Sequence, residues 1–373
     1  MSGQYLGGRI FGLDVMRATA GLMVTLSHTS YLVEAHWPRF PAVPSLDWVG
    51  VFFVLSGFLI GGILLDASAK SGPASLRFID FMQRRWLRTL PNYYLFLLLN
   101  IVLVFIGAAP GMLSTATPAY VVFMQNLHLP LDLFFWESWS LAVEEWFYLL
   151  FPLLVFVAIG LIGMSGRRAF VVAGVLFITL PVIARMSVAH HVVDQSTWDI
   201  WVNKLVITRL DAPGYGMLGA WLSRSWPKGW QRMRWPAMVL GIALLAVVTT
   251  NGYGTSPRFA IYGLNSLEAF SVALLLPLLS AWRKGGAFGG PLRYLSLITY
   301  ALYLVHLPLL YLFGDLVPHP VAWVCAAHYV LFLAVAIILS TLIYHFWERP
   351  FMHLRNPLGH WLATRWARSA SKR

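Results

Sequence analysis

Apolar stretches long enough to cross a lipid bilayer recur along almost the whole chain, and nothing else in the sequence limits the fold as strongly. A spanning helix needs roughly 20 mostly apolar residues. Ten such stretches lie near 14–33, 46–65, 91–108, 139–161, 169–186, 206–222, 236–250, 263–282, 294–313 and 321–346. The sixth and seventh are short and contain glycine. Charged residues make up only 11% of the 373-residue chain, against about a quarter in soluble domains, so a water-facing surface for a globule of this size cannot be built from them. The expected fold is all-α: a polytopic membrane protein of about ten transmembrane helices. The 17 Trp and 15 Tyr suit the headgroup zone, which favours amphipathic rings.

Basic residues test the count. Cytoplasmic loops of membrane proteins collect Lys and Arg. Of the 27 in this chain, 22 fall in one alternating set of loops and termini, including Arg9, Arg17, the Arg77–Arg88 group and the C-terminal end. The other set holds Arg39, Arg185, Lys204, Arg209 and Arg258. Both termini are therefore expected in the cytoplasm. The net charge of +12 then reflects topology and attraction to anionic lipid rather than nucleic-acid binding. Arg9 and Arg17 precede the first stretch as in a signal peptide, but no small-residue cleavage site follows it, so it reads as a retained span. No repeat or linker divides the chain, which is expected to form one transmembrane domain over 1–354 with a basic cytoplasmic tail over 355–373. The lone Cys325 sits in an apolar run as a small filler. No Cys/His cluster has metal-ligand spacing, and no metal site is expected.

Ionisable groups inside spans are costly and point to function. Arg17 and His28 share a face of the first helix, about 16 Å apart at 1.5 Å per residue. That distance resembles the reach of a pantetheine arm, with Arg17 on phosphate and His28, a suitable general base, on the thioester. A snorkelling arginine and a hydrogen-bonded histidine would give the same pattern. Arg84, Arg85 and Arg88 cluster on one helical face and suit bidentate phosphate binding, or a basic patch for lipid headgroups. Glu144 and Glu145 open the fourth span on the outer side, about 100° apart on a helix, where the helix dipole also favours them. Trp139 and Ser140 precede them. Tyr303 and His306 share a face of the ninth span. Ser56 and Gly57 suit close helix packing, and Arg209 and Asp211 suit a structural ion pair.

In this order, the segments resemble the acyltransferase-3 family of integral membrane acyltransferases, which includes O-antigen, exopolysaccharide, Nod-factor and macrolide acylating enzymes. The elements are Arg17 with His28, Phe52–Leu59, Arg85 with Arg88, Trp139–Tyr148, Thr208–Asp211, Tyr300–His306 and Glu348–Pro350. The resemblance implies ten helices in the bacterial inner membrane. It implies transfer of an acyl group, by frequency acetyl, from acyl-CoA to a hydroxyl of a cell-surface or lipid-linked carbohydrate such as a polysaccharide or lipopolysaccharide. It makes Arg17 and His28 essential, assigns Arg85 and Arg88 to the donor with Arg84 beside them, and makes Glu144 the family position and Glu145 its variable neighbour. Trp139, Ser140, Tyr303 and His306 are candidates to hold the acceptor. Many relatives carry an extra span and an extracytoplasmic domain. A chain ending at Arg373 is expected to complete transfer alone or to hand the acyl group to a separate glycan-assembly protein. Two other classes fit ten spans with buried Arg and His: a polysaccharide or glycolipid transporter, which should show internal repeats that this chain lacks, and a non-catalytic subunit of a glycan export machine.

Overall fold

The computed structural model describes residues 9–38, 45–70, 72–251, 256–287 and 289–359. Most of the expected tail, from 360 onward, and the basic residue Arg39 lie outside them. Among the described residues, ten principal helices lie along the apolar stretches: α1 (Phe11–Thr29), α2 (Trp48–Ala69), α3 (Ala74–Phe105), α4 (Ser138–Gly160), α5 (Gly166–Val188), α6 (Asp211–Ser225), α7 (Arg234–Asn251), α8 (Pro257–Ala281), α9 (Gly289–Phe313) and α10 (Ala322–Ile343). No strand occurs among the described residues. Seven of the ten, α2, α3, α4, α5, α8, α9 and α10, are long and apolar enough to cross a membrane. Helix α7 is apolar but shorter. The protein is an all-α polytopic membrane protein.

The main departure from the sequence expectation is α3. Its span was placed at 91–108, after the arginines, but the helix starts at Ala74 and continues through Pro91. Hydropathy falls where the arginines sit, while helical geometry persists. Membrane helices tolerate an internal proline because neighbours satisfy the freed backbone groups.

The chain forms two compact units interleaved in sequence. The first falls within Met1–Gly62, His128–Pro130 and Gly174–Tyr300, and the second within Ile63–Leu127, Leu131–Ala173 and Ala301–Arg373.

In the first unit, α2 and α6 cross almost backbone to backbone. A Cβ on Gly57 would stand 2.1 Å from the carbonyl oxygen of Pro213, and one on Gly216 2.0 Å from that of Val54. Only glycine allows this approach, the packing role expected of Gly57. Helix α1 begins with a buried Asp14 whose carboxylate takes the Arg9 guanidinium at 2.5 Å and the Ser296 hydroxyl at 3.0 Å. The deepest charge is Arg185 on α5, wholly buried. It donates to the carbonyl oxygens of Thr208 and Tyr262, to Ser266 Oγ and to the Asp211 carboxylate at 2.7 Å. Arg209 and Asp211 therefore do not pair with each other. Arg209 goes to Asp47, which also caps α2 by accepting from the Gly50 amide at 2.9 Å, and the Glu268 carboxylate accepts the Asp47 amide at 2.6 Å.

In the second unit, α3 and α4 run antiparallel. Ala74 faces Gly160, Phe78 meets Phe156, and Thr89 bonds Glu145. Each step forward on α3 is matched by an equal step back on α4. Past Ile343, α10 continues through a π turn, Tyr344–Glu348, and this continuation also lies along α3: the Trp347 indole donates to the carbonyl oxygen of Pro91 at 3.1 Å.

Arg185→Met should lower stability by about 3–5 kcal/mol by leaving Asp211 buried without its cation. The pair Arg185→Met with Asp211→Leu should recover much of that loss. Thermal unfolding of the detergent-purified protein reads both, and a double variant as unstable as the single one would contradict the account.

Candidate functional site

The sequence-expected residues divide between the two units. Arg17 and His28 lie on α1 in the first. Arg84, Arg85, Arg88, Trp139, Ser140, Glu144, Tyr303 and His306 lie in the second.

On α1 the helix starts at Phe11, so Arg17 sits in its second turn and His28 in its last. Arg17 is half-buried and His28 exposed. His28 feels the charges of Lys204 and Asp199, which pair with each other at 2.6 Å. Asp199 opens a π turn, Asp199–Asn203, and such turns recur at functional sites. Neither residue stood out in the sequence, because the segment between α5 and α6 carries no helical periodicity to place them.

In the second unit the α3–α4 register brings together groups that the sequence had set at opposite membrane faces. Arg85 feels Tyr148, Arg88, Glu144 and Glu145. The early start of α3 carries the arginines alongside α4 rather than ahead of it. The two glutamates differ as expected: Glu145 is buried and accepts the Thr89 hydroxyl at 2.5 Å, while Glu144 is only half-buried. Arg84 is bound by Asp80 at 3.1 Å.

The segment before α4 is pinned onto the helices. Tyr93 donates to the carbonyl oxygen of Tyr120 at 2.6 Å, Asn126 to that of Trp139 at 3.0 Å, and the Trp146 indole to that of Phe123 at 2.9 Å. Phe123 and Phe135 hold positive φ, at 59° and 51°, a conformation that costs a bulky residue energy and tends to cluster at functional sites. The structure joins two expected residues directly: Ser140 Oγ lies 2.6 Å from the Tyr303 hydroxyl, which donates to the carbonyl oxygen of Glu137 at 2.8 Å. His306, wholly buried, packs its ring 5.7 Å from that of Tyr303.

Glu137 itself escaped sequence reading, since one acidic residue among aromatics carries no pattern. It precedes α4, is 2% exposed, and neither carboxylate oxygen has a hydrogen-bond partner among the described residues. Burial pushes its carboxyl up to about 8, so the folded protein holds it as the neutral acid at neutral pH.

The model of the family described as "Acyltransferase domain", acyltransferase-3, matches residues 10–345. YrhL of Bacillus subtilis (strain 168), whose name carries peptidoglycan O-acetyltransferase as an unproven assignment, is 29% identical over 91% of this chain and 54% of its own length. O-acetyltransferase OatA of Staphylococcus aureus (strain NCTC 8325 / PS 47) is 29% identical over 39% of this chain and 24% of its own. The chain thus spans about half the length of YrhL and less of OatA. No solved structure matches it.

Glu137 yields a pH test. Its folded pKa lies above the ordinary carboxyl value, so the folded state binds the proton more tightly, and stability should fall as pH rises from about 4.5 through about 8. Glu137→Gln removes this titration. Its advantage in unfolding temperature over the natural protein should be small at about pH 5 and largest at about pH 9, and equal pH slopes for the two proteins would rule the account out.

Proposed function

The chain belongs to the acyltransferase-3 family, and on that premise we propose that it is a membrane O-acyltransferase moving an acetyl group from acetyl-CoA to a carbohydrate hydroxyl. The observation that carries this reading is the family match over 10–345. The relatives' names favour O-acetylation, and that of YrhL favours a cell-wall glycan as acceptor. A transporter or a scaffold subunit has no comparable support.

Arg85 and Arg88, with Arg84 and Arg17, hold the phosphates of the donor, since guanidinium forks match phosphate oxygens. His28 takes the proton of the acceptor hydroxyl as its oxygen attacks the thioester carbonyl carbon. The resulting tetrahedral species collapses, the C–S bond breaks, and the imidazolium returns its proton to the departing coenzyme A thiolate. Glu144 orients the acceptor or the imidazole. Trp139, Ser140, Tyr303 and His306 line the acceptor's side. The protein resides in the bacterial inner membrane with both termini in the cytoplasm, and glycan-assembly proteins supply or receive its substrates.

Purified protein given acetyl-CoA and an acceptor glycan should release free thiol and add one acetyl mass to the glycan. His28→Ala should slow this by about 10²–10⁴-fold, the usual contribution of a positioned general base; near-normal turnover would remove His28 from the mechanism. A green fluorescent protein fused at the C-terminus should fluoresce, and a dark but inserted fusion would overturn the cytoplasmic assignment.

A further inference from the structure

The continuation of α10 carries a further arginine to the arginine turn of α3. The two segments run antiparallel in a regular register. Asn92 donates to the Glu348 carboxylate at 3.1 Å, the Gln83 amide to the carbonyl oxygen of Arg355 at 3.3 Å, and Arg84 to the Asn356 side-chain oxygen at 3.3 Å. A Cβ on Gly359 would meet Asp80, Arg84 and Gln83 within 3.3 Å. Arg355 is thereby fixed beside Arg84, Arg85 and Arg88, and their charges act on it together with the opposite charge of Glu348.

A guanidinium carries five donors in a rigid fork. At Arg355 two of the donating nitrogens, Nε and Nη2, are closed off from solvent and have no hydrogen-bond partner among the described residues. Three of the acidic groups nearby have an oxygen engaged elsewhere. Asp80 is bound by Arg84, Glu145 by Thr89, and Glu348 by Asn92. Among the described residues, no ion pair reaches Arg85, Arg88 or Arg355. Donors closed off from water without a partner are expensive. Contrast Arg185, wholly buried where Arg355 is half-buried, whose donors are taken up by protein oxygens. Clustered like charges, with two donors of Arg355 unfilled, call for an anion with several oxygens, and phosphate is the group that arginine forks fit best.

We infer that Arg355 is the fourth arm of a phosphate site formed with Arg84, Arg85 and Arg88, and that its ligand is a compound bearing linked phosphates. Resting on the proposed function, that ligand is the coenzyme A donor. The site takes shape only when the end of α10 lies along α3, so the extreme of the last helix becomes part of donor recognition rather than a topological anchor.

The test titrates coenzyme A and inorganic pyrophosphate into the full chain and into Arg355→Gln and Arg355→Lys, each in neutral-lipid nanodiscs. Arg355→Gln should weaken both ligands by about tenfold to a hundredfold, the loss expected of a charge-assisted contact, and raise the KM for acetyl-CoA by a like factor with kcat changed less than about twofold. Arg355→Lys, which keeps the charge but not the fork, should fall between. Unchanged binding in a Gln variant with the natural unfolding temperature would overturn the proposal. Should that variant fail to fold, natural affinity in Arg355→Lys would do so. Pyrophosphate binding that Arg355→Gln abolishes, in a protein that never binds coenzyme A, would uphold the four-arginine site and overturn coenzyme A as its ligand. Binding of neither by the natural protein would overturn the site itself.

Discussion

A charge taken out of water must find its counterpart inside the protein, and in a chain with so few charges this requirement decides what each one is for. Desolvating an ion costs several kcal/mol even after the surroundings relax. Arg185 meets the requirement in full: backbone carbonyls, a hydroxyl and the Asp211 carboxylate receive its donors. Its role is to hold α5, α6 and α8 in one arrangement. Arg209 is similar, tied to Asp47, with its guanidinium 5.6 Å from the Phe53 ring centre. These charges are spent on structure. Glu137 is buried and Arg355 half-buried, and both carboxylate oxygens of the first and two guanidinium nitrogens of the second lack partners among the described residues; it is on such groups that a ligand or a proton can act.

Close packing determines where the unmatched groups stand. Small residues let α2 and α6 touch along their backbones in the first unit. In the second, the fixed antiparallel step between α3 and α4 brings the arginines beside Glu144 and Glu145, and the same helix α3 receives the end of α10 along another face. A shift of α3 by one turn against either neighbour would part Thr89 from Glu145 or Gln83 from Arg355. The polar bonds thus lock a register that apolar packing alone, without directional contacts, would leave loosely specified.

Much of this was legible in the chain. The all-α membrane class could be read, because length and hydropathy are what lipid selects, although among the described residues seven helices are long and apolar enough to cross. Gly57 was readable as a packing position, and the Ser140–Tyr303 neighbourhood as polar groups on two helices. What could not be read was pairing over long sequence distance. Arg209 and Asp211 are two residues apart, yet each bonds a group far away in sequence, since residues so close along a helix point in different directions. The start of α3 was hidden because hydropathy reports the lipid, and a helix that carries arginines before its span gives no apolar signal there. Arg355 counted only as one of many cytoplasmic charges until its neighbours were known.

Glu144 and Glu145 show how the fold separates adjacent, chemically identical groups. About 100° of helical rotation turns Glu145 toward Thr89, where a hydroxyl occupies one of its oxygens, and leaves Glu144 half-buried. The first is thereby a fastener of the α3–α4 register. The second keeps access to its surroundings while still feeling Arg85 through space. Adjacent in sequence and identical in chemistry, the two glutamates thus have different surroundings, and only Glu145 fastens α3 to α4 through Thr89.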